Sequence, residues 1–206
     1  MWIPLTGCLF GLLTGMRHAL EPDHLAAVST FVASDGGGRR TVGFATAWGA
    51  GHAAMLLLVA SALFLLGAGV PERLSDTFEL VVSVMLIGLG ARGLLRSNHG
   101  RHGHARGAPG ARLPFLVGLV HGLAGSGALT ALVAARLSSP GLGVLFIALY
   151  AAGSALGMAA LALALGAPLA RLVGGGRLVG ALTVTSSLGS LAVGVLWAAP
   201  IVQRLV

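Results

Sequence analysis

The chain has no lysine, one cysteine and one tyrosine, and only 9% of its 206 residues are charged. Each shortage closes an option. With Cys8 alone, no internal disulfide can form and no thiolate metal cluster can assemble within one chain. The expected role of Cys8 is that of a small buried residue. With so few charges, a soluble core of this length would lack its polar shell. No basic stretch opens Met1-Trp2-Ile3-Pro4, so no cleavable signal is expected there. Leu5-Thr6-Gly7-Cys8 is too short and uncharged a leader to read as a lipoprotein cleavage site. No nucleotide-binding motif and no His-Glu-x-x-His occurs, so ATP-driven pumping would need a partner chain.

What the chain has is apolar length. It is 56% hydrophobic, and its mean hydropathy is +0.92. A membrane-spanning helix needs about 20 apolar residues, and six such stretches fit, at 3–32, 42–68, 75–95, 113–136, 142–168 and 178–203. The expectation is an all-α polytopic membrane protein forming one domain over 1–206. Repeat one covers 1–96, a His/Arg loop 97–112 and repeat two 113–206. A pI near 11.7 suggests nucleic acid, but the arginines are placed otherwise. Arg39, Arg40, Arg96, Arg101, Arg106, Arg112, Arg171 and Arg177 follow the odd-numbered spans, against Arg73, Arg136 and Arg204 on the other side. This positive-inside asymmetry predicts a cytoplasmic 97–112 loop and both termini outside.

The apolar pattern is interrupted at Arg17-His18-Ala19-Leu20-Glu21-Pro22-Asp23-His24. Inside lipid each Asp or Arg costs about 2.5–3.5 kcal/mol on insertion scales, so such a cluster marks function. Gly7, Gly11 and Gly15 precede it at four-residue spacing, a face that admits a neighbouring helix closely. Pro22 lacks an amide hydrogen, which predicts a broken first helix and a His18 carbonyl freed to act as an oxygen ligand. On a straight helix His18 and His24 would lie about 120° apart; a break could bring them together. Ser34 to Gly38 closes the segment as a turn. His52 lies near the middle of the second span, and the third, uncharged between Glu79 and Arg92, reads as scaffold.

The second half echoes the first. Gly15-Met16-Arg17-His18-Ala19-Leu20 matches Gly118-Leu119-Val120-His121-Gly122-Leu123 at an offset of 103. Trp48-Gly49-Ala50-Gly51-His52 matches Tyr150-Ala151-Ala152-Gly153-Ser154 at an offset of 102. Three spans per half would set the halves in opposite orientation, an inverted repeat of the kind transporters use.

Imidazole and carboxylate donors without thiolate suit borderline divalent ions such as nickel, cobalt and zinc. The candidate ligands are His18, Asp23, His24 and His52, with Glu21 and His121 as further candidates. Glu21 has a plainer role as partner of Arg17 four residues earlier, and His121 as a packing histidine. The second half offers no counterpart of Asp23 or His24, so the expected site belongs to the first half. His99, His102 and His104 read as a solvated tract, able at most to buffer metal.

Arg17-His18-Ala19-Leu20-Glu21-Pro22-Asp23-His24 resembles the R-H-A-x-D-A-D-H signature of the nickel–cobalt transporter superfamily. Its His-x4-Asp-His core is intact. Gly51-His52 resembles that family's next motif, and His121 to Gly127 is similar to the shorter six-helix members, the urease-associated ones included. The resemblance implies Ni²⁺ or Co²⁺ transport through His18, Asp23, His24 and His52. Glu21-Pro22 stands where the family has Asp-Ala, Ala53 where Ser or Thr follows the Gly-His, and Gly125-Ser126-Gly127 brings no later acidic motif.

The expected function is secondary transport of a divalent transition metal, nickel first, rather than enzymatic chemistry. No resident cofactor is expected, and the metal is substrate. The partners are the ion and the lipid bilayer of a bacterial or archaeal plasma membrane, with no nucleic acid. A homo-oligomer and a metal-delivery partner stay open. Two rivals remain: an intramembrane zinc hydrolase with Glu21 as base, and a haem subunit with His52 and His121 as axial ligands.

Overall fold

The computed structural model describes residues 3–35, 39–98, 112–123, 133, 137, 139–171 and 176–205. Among these the chain is all-helical, with seven helices: α1 Ile3–His18, α2 Pro22–Asp35, α3 Arg39–Leu66, α4 Glu72–Asn98, α5 Arg112–His121, α6 Pro140–Arg171 and α7 Gly176–Leu205. Four contain stretches long and apolar enough to cross a membrane: Thr41–Leu66, Glu72–Leu95, Pro140–Ala167 and Gly180–Arg204. Large apolar side chains face outward on them; Leu58, Leu65, Leu66, Leu95 and Leu196 are 62–78% exposed, as suits surface turned to lipid rather than water. The predicted loop histidines 99, 102 and 104, the 125–127 glycines, Gly36 to Gly38 and most of 124–136 lie outside the described residues.

The first predicted span is two helices. α1 stops at His18, and two tight bonds follow, from the Leu20 amide to the Arg17 carbonyl (2.9 Å) and from the Glu21 amide to the His18 carbonyl (3.0 Å). The Glu21 carbonyl then takes the Leu25 amide at 2.9 Å, opening α2 with Pro22 as its first helical residue. Proline is favoured there because that position has no intrahelical partner for an amide hydrogen. This corrects the expected role of Pro22. The break is real, but the His18 carbonyl is not freed by it, because the turn itself supplies a donor. At 16 and 14 residues, α1 and α2 are each shorter than a straight span.

α3 ends on Gly67, whose positive φ of 59° lets the chain reverse, with the Ala68 amide bonded to the Leu63 carbonyl at 3.0 Å. The long helices meet through small residues. α1 packs on α6, where a Cβ on Gly15 would overlap the Tyr150 carbonyl and one on Gly153 the Leu12 carbonyl. α3 packs on α5, where Gly118 meets the Trp48 carbonyl and Gly51 the Phe115 carbonyl in the same way. α4 packs on α7 through Gly90, Gly93 and Gly194, and the Ser190 hydroxyl donates to the Leu86 carbonyl at 2.9 Å. Small faces and cross-helix hydroxyls replace the hydrophobic drive that lipid cannot supply.

α2 sits at the centre. It touches α3, α4, α6 and α7, and Ala26, Ala27, Val28 and Val32 join Trp48, Val82, Leu86, Met158 and Ala162 in the main core. Thr30 and Thr183 tie α2 to α7 by donating to the Ser186 carbonyl (3.2 Å) and the Ala33 carbonyl (3.1 Å). The first turn of α2 is thereby held in the interior.

Candidate metal centre

Four helices converge on that turn. His18 is the last residue of α1, Asp23 and His24 stand in the first turn of α2, His52 lies midway along α3, and His121 ends α5. All five are buried, none more than 5% exposed. The break after His18 is what lets two successive helices aim at one point, which a straight helix could not do.

The donors form a connected set. His24 Nδ1 donates to Asp23 Oδ1 at 3.0 Å, and His121 Nε2 donates to Asp23 Oδ2 at 2.7 Å. Both directions follow from an ionised carboxylate being an acceptor only. His18 Nε2 and His52 Nε2 stand 3.3 Å apart. The rings of His18 and His24 have centroids 4.5 Å apart, and those of His24 and His121 4.4 Å. Two groups bring one donor atom per residue within 4.8 Å of the others: His18, His24 and His52, and Asp23, His24 and His121. Among the described residues the buried His18 Nδ1, His24 Nε2, His52 Nδ1 and His121 Nδ1 have no hydrogen-bond partner, which leaves each ring a nitrogen to spare.

Glu21 behaves differently. It is 51% exposed, and its Oε1 lies 3.0 Å from His18 Nδ1. Among the described residues its near neighbour is therefore that ring, not Arg17. His121, the further candidate from the second half, reaches the cluster by its bond to Asp23, 98 positions earlier. Against the haem rival, the His24 ring stands 5.0 Å from that of His52 and 4.4 Å from that of His121, in the space that a macrocycle between those two would need.

Trp48 lies against His24 and His121, with centroids at 5.8 and 5.4 Å, and Tyr150 lies 5.7 Å from His18. These two aromatics stand at matching positions in the alignment of the two halves, at an offset of 102; in the sequence that match marks only the repeat and does not place them at the site.

A cavity of about 440 Å³ reaches from the cluster to the N-terminal part of α4 and the end of α7. It passes Glu21, Glu79, Trp197 and Arg204. Glu79, read from sequence only as the edge of a scaffold helix, lines this passage. At its far end Arg204 binds Asp76 with two bonds, Nη2 to Oδ1 at 2.6 Å and Nε to Oδ2 at 3.2 Å.

No protein-family model matches the chain, and no solved structure matches it. It is 31% identical over 173 residues to the urease accessory protein UreH of Bacillus sp. (strain TB-90), which covers 77% of this chain and 75% of that protein. With that identity over three quarters of both lengths, the chain belongs to the UreH family of urease accessory proteins.

Proposed function

We propose that the chain is a secondary transporter of divalent transition-metal ions, nickel first and cobalt next, in the plasma membrane of a bacterium or archaeon. One observation carries the reading: four imidazoles and a carboxylate, buried where charge is costly, line one cavity that runs toward a helix end. Such donors bind nickel, cobalt and zinc in preference to magnesium or calcium. The site for the ion is built from His18, Asp23, His24 and His52, with Glu21 and His121 alongside. The resemblance of residues 17–24 to the nickel–cobalt signature and the kinship with UreH support nickel over zinc.

The reading has six spans in two inverted halves, with α1 and α2 together as the first span. Its support is a set of paired contacts. Gly15 on the Tyr150 carbonyl corresponds, at offsets of 103 and 102, to Gly118 on the Trp48 carbonyl, and Gly153 on Leu12 corresponds to Gly51 on Phe115. Exchanging the halves thus turns the α1–α6 pair into the α5–α3 pair, as a two-fold axis in the membrane plane would. Alternating access follows from one half moving against the other. Both termini lie outside and 97–112 is cytoplasmic, so the cavity opens to the outer face. The domain is single, and its partners are the ion and the bilayer.

Flux of Ni²⁺, Co²⁺, Zn²⁺ and Mg²⁺ in proteoliposomes tests this. Nickel and cobalt are expected to move and magnesium not. His18→Ala and Asp23→Asn are expected to lower flux, and unchanged flux in both would sink the site. Imposed gradients of metal and proton from either side give the direction.

A further inference from the structure

Resting on the metal-site reading above, we infer that the ion is held by nitrogen alone, through Nε2 of His18, His24 and His52. Asp23 serves as a positioning residue that grips the far nitrogen of the His24 ring.

Two distances carry this. Asp23 Oδ1 accepts from His24 Nδ1 at 3.0 Å, which fixes the proton on Nδ1 and leaves the partnerless, buried Nε2 with its lone pair free. Glu21 Oε1 stands 3.0 Å from His18 Nδ1 without a hydrogen bond between them, and among the described residues that buried nitrogen has no other partner, so it can carry the ring's proton while Nε2 faces His52. His18 Nε2 and His52 Nε2 are 3.3 Å apart. Imidazole nitrogens about 2.0–2.1 Å from a tetrahedral ion stand about 3.3–3.4 Å from one another. The pair is spaced as two ligands of one ion. His52 Nδ1, buried and without a partner, can carry that ring's proton once Nε2 is engaged.

Asp23 as a ligand fits less well. Its second oxygen lies 2.7 Å from His121 Nε2, a hydrogen-bond distance too short for two donors sharing an ion. The Asp23, His24 and His121 group is therefore closed on itself, and both oxygens of Asp23 are already engaged. His121 then braces the carboxylate that braces His24. Carboxylate–histidine–metal chains of this kind fix ring orientation and raise ligand basicity. Here Asp23 does this for His24, beside it in the first turn after the helix break. The ion meets neutral rings, while the compensating negative charge stays one ring away.

The test uses the full chain, purified and loaded with Co²⁺. X-ray absorption is expected to count three imidazoles, and difference infrared with ¹³C-labelled aspartate to show no band shift to a metal-bound carboxylate. Asp23→Asn should keep three imidazoles while raising Kd about 10–100-fold, Asp23→Glu should recover part of that, and His52→Ala should leave two. A metal-bound carboxylate band that Asp23→Asn removes overturns the inference. So does a count of four that His121→Ala lowers to three, or an Asp23→Asn Kd equal to wild type. The wild-type spectrum decides even if a variant fails to fold. Wild-type protein that takes up no Co²⁺ overturns both this and the transport reading. A three-imidazole spectrum without flux in proteoliposomes removes transport alone.

Discussion

Gly15 meets the backbone carbonyl of Tyr150, and a Cβ at that glycine would overlap it. Its counterpart Gly118 stands the same way against Trp48. The two contacts hold α1 on α6 and α5 on α3, the helices whose last residues are His18 and His121. Helix packing and ligand placement are therefore one problem in this fold.

Gly15→Val and Gly118→Val should each destabilise the protein by about 1–3 kcal/mol through overpacking. Both should also weaken Co²⁺ binding by shifting an attached histidine. Gly43→Ala is the control, because nothing lies within 4 Å of a Cβ there. Thermal unfolding in detergent, with and without metal, measures both effects.

His52→Ala should reduce flux to background, since α3 offers no second donor nearby. His121→Gln should retain part of it, because glutamine can still donate to Asp23. Comparing initial rates for the two variants separates a ligand from a brace.

Pro22→Ala should let α1 continue into α2, since alanine is the best helix former and restores the amide hydrogen. Metal affinity is then expected to fall while thermal stability holds or rises. Helix content by circular dichroism should not decrease. Loss of stability together with affinity would count against the proline as the agent of the break.

Residues 17–24 were legible because charges within an apolar run are expensive wherever the run folds. That argument identified His18, Asp23 and His24 from composition and spacing alone. It misjudged Pro22, since a proline inside a helix and a proline opening one look the same without the turn before it. His121 could be aligned with His18, but its bond to Asp23 crosses 98 positions and depends on how α5 packs on α3. Glu79 gave no signal. A carboxylate at the edge of an apolar span reads as a helix end until α7 closes a cavity beside it.

Glu79→Gln should raise KM for the ion several-fold with little change in maximal rate, because the residue lies along the cavity rather than within the cluster. Negative charge in a confined passage concentrates cations. The wild-type advantage should therefore shrink as ionic strength rises. Flux against metal concentration at two salt levels checks it.

The dimensions of the cavity bear on how an ion reaches the histidines. At about 30 Å³ per water, 440 Å³ holds on the order of ten molecules. On the proposed reading, that is room for a divalent ion together with a hydration shell. The ion would shed its water at His18, His24 and His52, which offer nitrogen in exchange. Ions that surrender water reluctantly and prefer oxygen, such as magnesium, would enter the same cavity and turn back at its end. Selection would then be exercised there, by the cost of undressing the ion, and not by the width of the mouth.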